Sequence, residues 1–128
     1  MTPDLFTPLS LSDAEAPNRV MVSPMCQYSC AARDGLATDW HFQHLTSRAV
    51  GGAGIVMSEA TAVEARGRIS PEDLGIWSDE HADALADITD FVREQGSLPG
   101  IQLAHAGRKA ATTRPADGHD PLQPDEGG

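Results

Sequence analysis

Three short apolar runs alternate with two amphipathic stretches along this chain, and no other feature restricts its fold as much. The first run, Arg19 to Ser23, carries the β-branched Val20 and Val22 and stops at Pro24, as a strand would. Thr38 and Asp39 then offer N-cap chemistry to a helix with Phe42, Leu45 and Ala49 on one stripe, and Gly51-Gly52 supplies its stop. Gly54-Ile55-Val56-Met57 opens a second run reaching about Ala60, apolar enough for a parallel strand covered on both faces. The second helix is capped by Ser78, sets Asp79 and Glu80 at its positive end, and repeats Leu85, Ile88 and Val92 at helical spacing until Gly96. Gly100-Ile101-Gln102-Leu103 reads as a third strand. Strand, helix, strand, helix, strand makes a parallel α/β arrangement with right-handed crossovers. It opens either a Rossmann sheet or a (β/α)8 barrel.

The 128 residues permit one small domain with a usable core and leave no room for a second. Gly52-Ala53-Gly54 contains a G-x-G, but it precedes its strand and lacks the third glycine of a dinucleotide loop. A helix stop explains it better. From Ala110 to Gly128 the periodicity collapses, with three Pro, three Gly and Leu122 as the only large apolar residue, so the stretch reads as a loop or disordered tail.

Charge excludes several function classes. Nine Lys+Arg face 19 Asp+Glu, a formal charge of -10, and eight of the nine cations are scattered arginines, so no basic stripe for nucleic acid can form. Lys109 is the only lysine. No apolar run approaches the ~20 residues of a spanning helix. Met1-Thr2-Pro3-Asp4 has neither the basic nor the apolar region of a signal peptide. With only Cys26 and Cys30 there is no disulfide framework, and a reducing cytoplasm is expected.

The polar residues gather after each strand: Ser23 to Ser29 after the first, Glu59-Ala60-Thr61 and the loop to Trp77 after the second, Ala104 to Lys109 after the third. In parallel α/β folds the C-terminal ends of strands build the site. The same stretches carry specific motifs: Asn18-Arg19, SPMCQYS at Ser23 to Ser29, RGRI at Arg66 to Ile69, DLGIWSDEH at Asp73 to His81, and GIQLAHAGRKA at Gly100 to Ala110. In their order and content they resemble the N-terminal part of Old Yellow Enzyme-type NADH:flavin oxidoreductases, of the bacterial YqjM- and xenobiotic-reductase-like class. The resemblance runs from Leu5 to about Ala110.

It implies residues 1–109 as the N-terminal portion, about three βα units, of an FMN-binding (β/α)8 barrel, with 110–128 as the loop or tail. It implies an enzyme, an NADPH dehydrogenase in which flavin takes hydride from NADPH or NADH and passes it to an activated alkene such as an α,β-unsaturated carbonyl. Carried over residue by residue, Ser23, Pro24, Met25 and Cys26 lie along the flavin ring. Ala60 meets it through the backbone, and Gln102 bonds its pyrimidine edge, where an amide offers donor and acceptor together. Cys26 tunes the flavin, and Tyr28 bonds the substrate carbonyl. The full enzyme is expected to be a cytoplasmic homo-oligomer without membrane or nucleic-acid partners. Family members run well beyond twice this length. Their paired histidines (or His/Asn), their proton-donating tyrosine and their late phosphate site have no counterpart here, so an inactive fragment is expected.

The blander readings stand beside these. Cys26 and Cys30 are spaced C-x3-C, and His41 and His44 lie at a helix start with no second close ligand pair, so helix-surface and capping roles are expected rather than zinc. His81 and His105 read as loop-organising, Arg66 and Arg68 as bonding local carbonyls or carboxylates, and Trp77 as packing. The functional alternatives are a non-catalytic thiol redox-sensing or interaction fragment, and a half-barrel that needs a partner fragment before it binds flavin.

Overall fold

The structure is a computed structural model that describes residues 4–126; most of the Met1–Asp4 reading and the last two residues of the 110–128 stretch lie outside it. The chain opens with an antiparallel hairpin, β1 (Leu9–Leu11) and β2 (Ala14–Ala16), in register Leu9 with Ala16. It then runs through β3 (Met21–Val22), α1 (Asp39–Val50), β4 (Ile55–Ala62), α2 (Asp79–Glu94) and β5 (Leu98–Ala104). The last three strands form one parallel sheet in the order β3-β4-β5. The expected alternation is therefore present, with a first strand shorter than Arg19–Ser23.

Both helices begin with the same chemistry, [Ser/Thr]-Asp-x-His. Thr38 N–H donates to His41 Nδ1 at 3.0 Å, and Ser78 Oγ lies 2.6 Å from His81 Nδ1. Histidine thus stands where a capping box usually carries Glu or Gln. Asp39, Asp79 and Glu80 occupy the first turns, where the N-terminal end of the helix favours negative charge. Each helix closes with a following glycine at positive φ, Gly52 at +93° and Gly96 at +86°, a backbone state that glycine enters without a Cβ clash.

Leu45 and Ala49 of α1 and Leu85, Ile88 and Val92 of α2 pack with Val56, Leu74 and Cys30 into the core. Phe42, expected on the buried stripe, is 37% exposed. It meets Phe91 edge-on at 5.4 Å, so it joins the two helices rather than the core. Strand β4 is the central strand and is buried on both faces, which is why its sequence is nearly all small or apolar. Its one irregularity lies between Ser58, which pairs with Ile101, and Ala60, which pairs with Gln102. Glu59 is the extra residue of that bulge.

Residues 111–126 form loop and short 3-10 turns, and they are tied down. Thr112 N–H and Oγ1 both donate to the Ile69 carbonyl, at 2.9 and 3.1 Å. Leu122 N–H donates to Ala111 at 2.8 Å, and Thr112 bridges Pro121. The stretch lies back across the loop between β4 and α2.

Candidate active site

Two of the expected residues meet across the sheet. Ala60 of β4 pairs with Gln102 of β5, near the C-terminal ends of both strands. Gly100 and Gln102 share a face of β5, because side chains alternate along a strand. Met57 lies across Gly100 so closely that a Cβ there would collide with its sulfur. Gln102 is exposed, and among the described residues its amide makes no side-chain hydrogen bond.

The third contribution is the segment that leaves β3. Ser23 is exposed and Met25 is 44% exposed, while Pro24, Cys26, Gln27 and Tyr28 are half-buried. Gln27 holds this segment down. Its backbone N–H donates to Glu59 Oε1 at 3.2 Å, its side-chain amide donates to the Met25 carbonyl at 2.7 Å, and its Oε1 accepts from Trp40 Nε1 at 2.9 Å. Tyr28 sits in the left-handed region at φ +51°, a conformation that needs such anchoring for a bulky residue.

Burial and neighbouring acids raise the pKa of the titratable groups of this segment. Burial, then the charges of Asp73 and Glu59, push the Cys26 thiol above its ordinary range, with hydrogen bonding to the Ala60 backbone and Tyr28 drawing it partly back. Burial, then Cys26 and Asp73, raise the Tyr28 phenol. Burial also raises the Asp73 carboxyl, against hydrogen bonds from Ile69 N–H at 2.7 Å and Ser70 Oγ at 2.9 Å. Cys30 is fully buried, donates to the Leu36 carbonyl at 3.2 Å, and is pushed up to about 12, first by burial. Redox-sensing thiols are accessible and low in pKa; Cys30 is buried, and the half-buried Cys26 thiol is shifted upward.

The remaining polar residues take structural parts. Arg66 pairs with Glu64 at 2.9 Å, and Arg68 donates to the Arg33, Ala65 and Pro71 carbonyls. Trp77 packs against His81 at 4.2 Å beneath the Arg68 guanidinium. His81 Nε2 donates to the Asp34 carbonyl at 2.9 Å, and His105 pairs with Glu64 at 2.6 Å while accepting Gly107 N–H. Among the described residues no group of three or more His, Cys, Asp or Glu is placed to hold a metal. His41 departs from the expected helix-surface role: it caps α1 but is wholly buried, with Nε2 turned to Glu59 Oε2 at 3.7 Å. An acid in the otherwise small and apolar run of β4 was the sequence signal for that pair. A cleft of about 420 Å³ opens elsewhere, between α2 and β5, lined by Ile88, Val92, Pro99 and Ile101; none of the expected site residues lines it.

Among the described residues no helix is long and apolar enough to cross a membrane. The chain is 53% identical over 110 residues to NADPH dehydrogenase from Bacillus subtilis (strain 168), covering 86% of this chain and 32% of that protein. It is 54% identical over 106 residues to NADPH dehydrogenase from Listeria welshimeri, with 83% and 31% covered. It therefore spans about a third of the length of these curated relatives. Morphinone reductase in complex with tetrahydroNAD superposes with a TM-score of 0.77 at 30% identity, covering 86% of this chain and 29% of that one. The Old Yellow Enzyme homologue from Zymomonas mobilis gives 0.76 at 35% identity, with 84% and 30% covered. These neighbours identify the parallel α/β unit as part of a (β/α)8 barrel. The profile of the NADH:flavin oxidoreductase / NADH oxidase family matches residues 4–126, the same span over which strand ends, bulge and anchored loop converge, and the chain belongs to that family.

Proposed function

We propose that this chain forms part of the FMN site of an NAD(P)H-dependent oxidoreductase that delivers hydride to electron-poor alkenes such as α,β-unsaturated carbonyls. The observation that carries this reading is the cross-strand pair Ala60–Gln102 beside the anchored Ser23–Tyr28 segment. The residues fit a flavin: an exposed, unpartnered amide at the strand ends matches a pyrimidine edge that alternates donors and acceptors. The half-buried run from Ser23 to Cys26 offers a flank for a planar ring. FMN, when bound, supplies the hydride-carrying centre.

The chain's own residues bind and orient. Gln102 fixes the pyrimidine edge, and Ala60 presents its backbone to the ring. Cys26, kept as a thiol, is a weak donor that tunes the flavin. Tyr28, kept as a phenol, donates to the carbonyl oxygen that activates the alkene. Residues 1–109 act as the barrel portion and 110–128 as a loop. The assembled enzyme works in the cytoplasm as a homo-oligomer on small molecules, and the 128 residues alone lack alkene reduction because groups supplied elsewhere in such an enzyme hold the substrate and give the proton.

The test has two arms. The full-length protein should bind FMN, seen in its flavin absorbance, and oxidise NADPH or NADH faster when a cyclic enone is added. Absence of flavin binding would remove the reading, and turnover of the enone by the 128 residues alone would remove the statement about the fragment.

A further inference from the structure

A buried acid–histidine pair lies beneath the Ser23–Ser29 segment. Glu59 is the bulge residue of β4, and bulges often re-aim a side chain beside an active site. Its side chain is 4% exposed and that of His41 1% exposed. Glu59 Oε1 accepts the Gln27 N–H, which joins the acid to the segment carrying Cys26 and Tyr28. On the other side, His41 Nδ1 accepts the Thr38 N–H at 3.0 Å, so the neutral ring carries its proton on Nε2. Among the described residues that Nε2 has no hydrogen-bond partner, and it faces Glu59 Oε2 at 3.7 Å. A buried N–H without an acceptor is costly, and such groups are rare in folded proteins.

We propose that Glu59, backed by His41, is a positioning residue: a buried carboxylate that locks the Ser23–Ser29 segment through Gln27 and sets a negative charge under the part of it that carries Cys26. The proposal deepens the flavin reading above and rests on it for its purpose. The pair itself is independent of any ligand. A carboxylate under the segment adds, after burial and Asp73, to the cost of ionising Cys26. One of its oxygens takes the Gln27 N–H, while the other stands 3.7 Å from His41 Nε2, outside hydrogen-bond reach. The charged or titratable groups around it are His41 and His44 from α1, Cys26, Tyr28 and Cys30 from the segment after β3, and Asp73 from the loop before α2. Of these, Asp73 weighs on the Cys26 thiol ahead of Glu59, and burial ahead of both.

The experiment follows the pH dependence of iodoacetamide alkylation at Cys26 in the full chain without added flavin, read by mass spectrometry on the peptide that carries it. Only the thiolate reacts, so the midpoint reports the Cys26 proton. In the unmodified chain the midpoint should lie above that of free cysteine. Glu59→Gln keeps the shape and the Gln27 contact but removes the charge, and should speed alkylation near pH 8 by about threefold or more. Glu59→Asp retains the charge and should stay close to the unmodified rate. Where Glu59→Gln does not fold, Gln27→Pro, which removes the backbone N–H that Glu59 Oε1 accepts, should change the Cys26 alkylation rate and protease sensitivity of the Ser23–Ser29 segment; a native rate and native protection would overturn the locking role. A native midpoint at or below free cysteine overturns the proposal, as does a Glu59→Gln profile identical to the native one. Flavin binding, measured separately, decides the reading above without touching this one.

Discussion

At the scale of single residues, what matters is which polar groups are left for a ligand and which are spent on the fold. Gln102 is left free: it is exposed, without a side-chain partner among the described residues, and paired with Ala60 across the sheet. Gln102→Leu should therefore cost little stability and much flavin affinity. An unpaired buried group on the flavin edge costs roughly 1–3 kcal/mol, so FMN binding should weaken about 5- to 150-fold in a titration followed by flavin fluorescence. Unchanged affinity would remove Gln102 from the site. Cys30 is the opposite case, wholly spent on the interior. Its thiol is pushed from 9.0 up to about 12 in the folded chain, first by burial. A raised folded pKa means the contribution is fully present below pH 9.0, the ordinary thiol value, and is lost as pH climbs through the folded value of about 12. The unfolded thiol ionises in that window and the folded one does not. Urea midpoints between about pH 8 and 11 should fall more steeply for the native chain than for Cys30→Ala. Parallel curves would mean that Cys30 reaches solvent.

At the scale of elements, the sequence was legible wherever local rules decide the outcome. Apolar spacing and capping residues located α1, α2, β4 and β5 because those signals lie within the segments themselves. The β1–β2 hairpin escaped because its strands are three residues each and its turn uses Ser12 at φ +57°, with no glycine or Asn-Gly to announce it. His41 was read correctly as a cap and wrongly as a surface group, since the group it faces in the interior, Glu59, lies on another element at a bulge. The site residues themselves came from motif resemblance, because nothing in periodicity distinguishes Gln102 from any other strand glutamine. One junction between elements was hidden for the same reason. Gly54, which precedes β4, lies against the Asn18 carbonyl so closely that a Cβ would collide with backbone. Asn18 also reaches back, donating from Nδ2 to the Gly52 carbonyl at 2.8 Å. Gly54→Ala should thus cost about 1–3 kcal/mol, the range for forcing atoms into a packed site. A melting temperature within error of the native one would show that the Asn18 turn can yield.

At the scale of the whole molecule, the sheet and the charge oppose one another. β5 pairs only with β4 among the described strands, so its other side presents unpaired backbone groups. Leu103 on that strand is 63% exposed and Ile101 borders the apolar cleft against α2. In the solved neighbours this unit is 29–30% of a longer chain, which is the setting where such an edge finds a partner. Expressed as 128 residues alone, the chain should associate through this edge, because strand pairing and apolar burial both favour contact. The formal charge of -10 acts the other way by keeping copies apart. Repulsion between surface charges is screened over about 10 Å at 0.1 M salt and about 3 Å at 1 M, while apolar burial is not weakened by salt. Self-association should consequently rise with ionic strength, the reverse of what ion-paired interfaces show. Sedimentation velocity from low salt to 1 M, at several protein concentrations, reads this directly. A species that stays monomeric across that range would mean that the β5 edge is already protected, and a species that dissociates as salt is added would mean that ion pairs rather than the open strand hold the copies together.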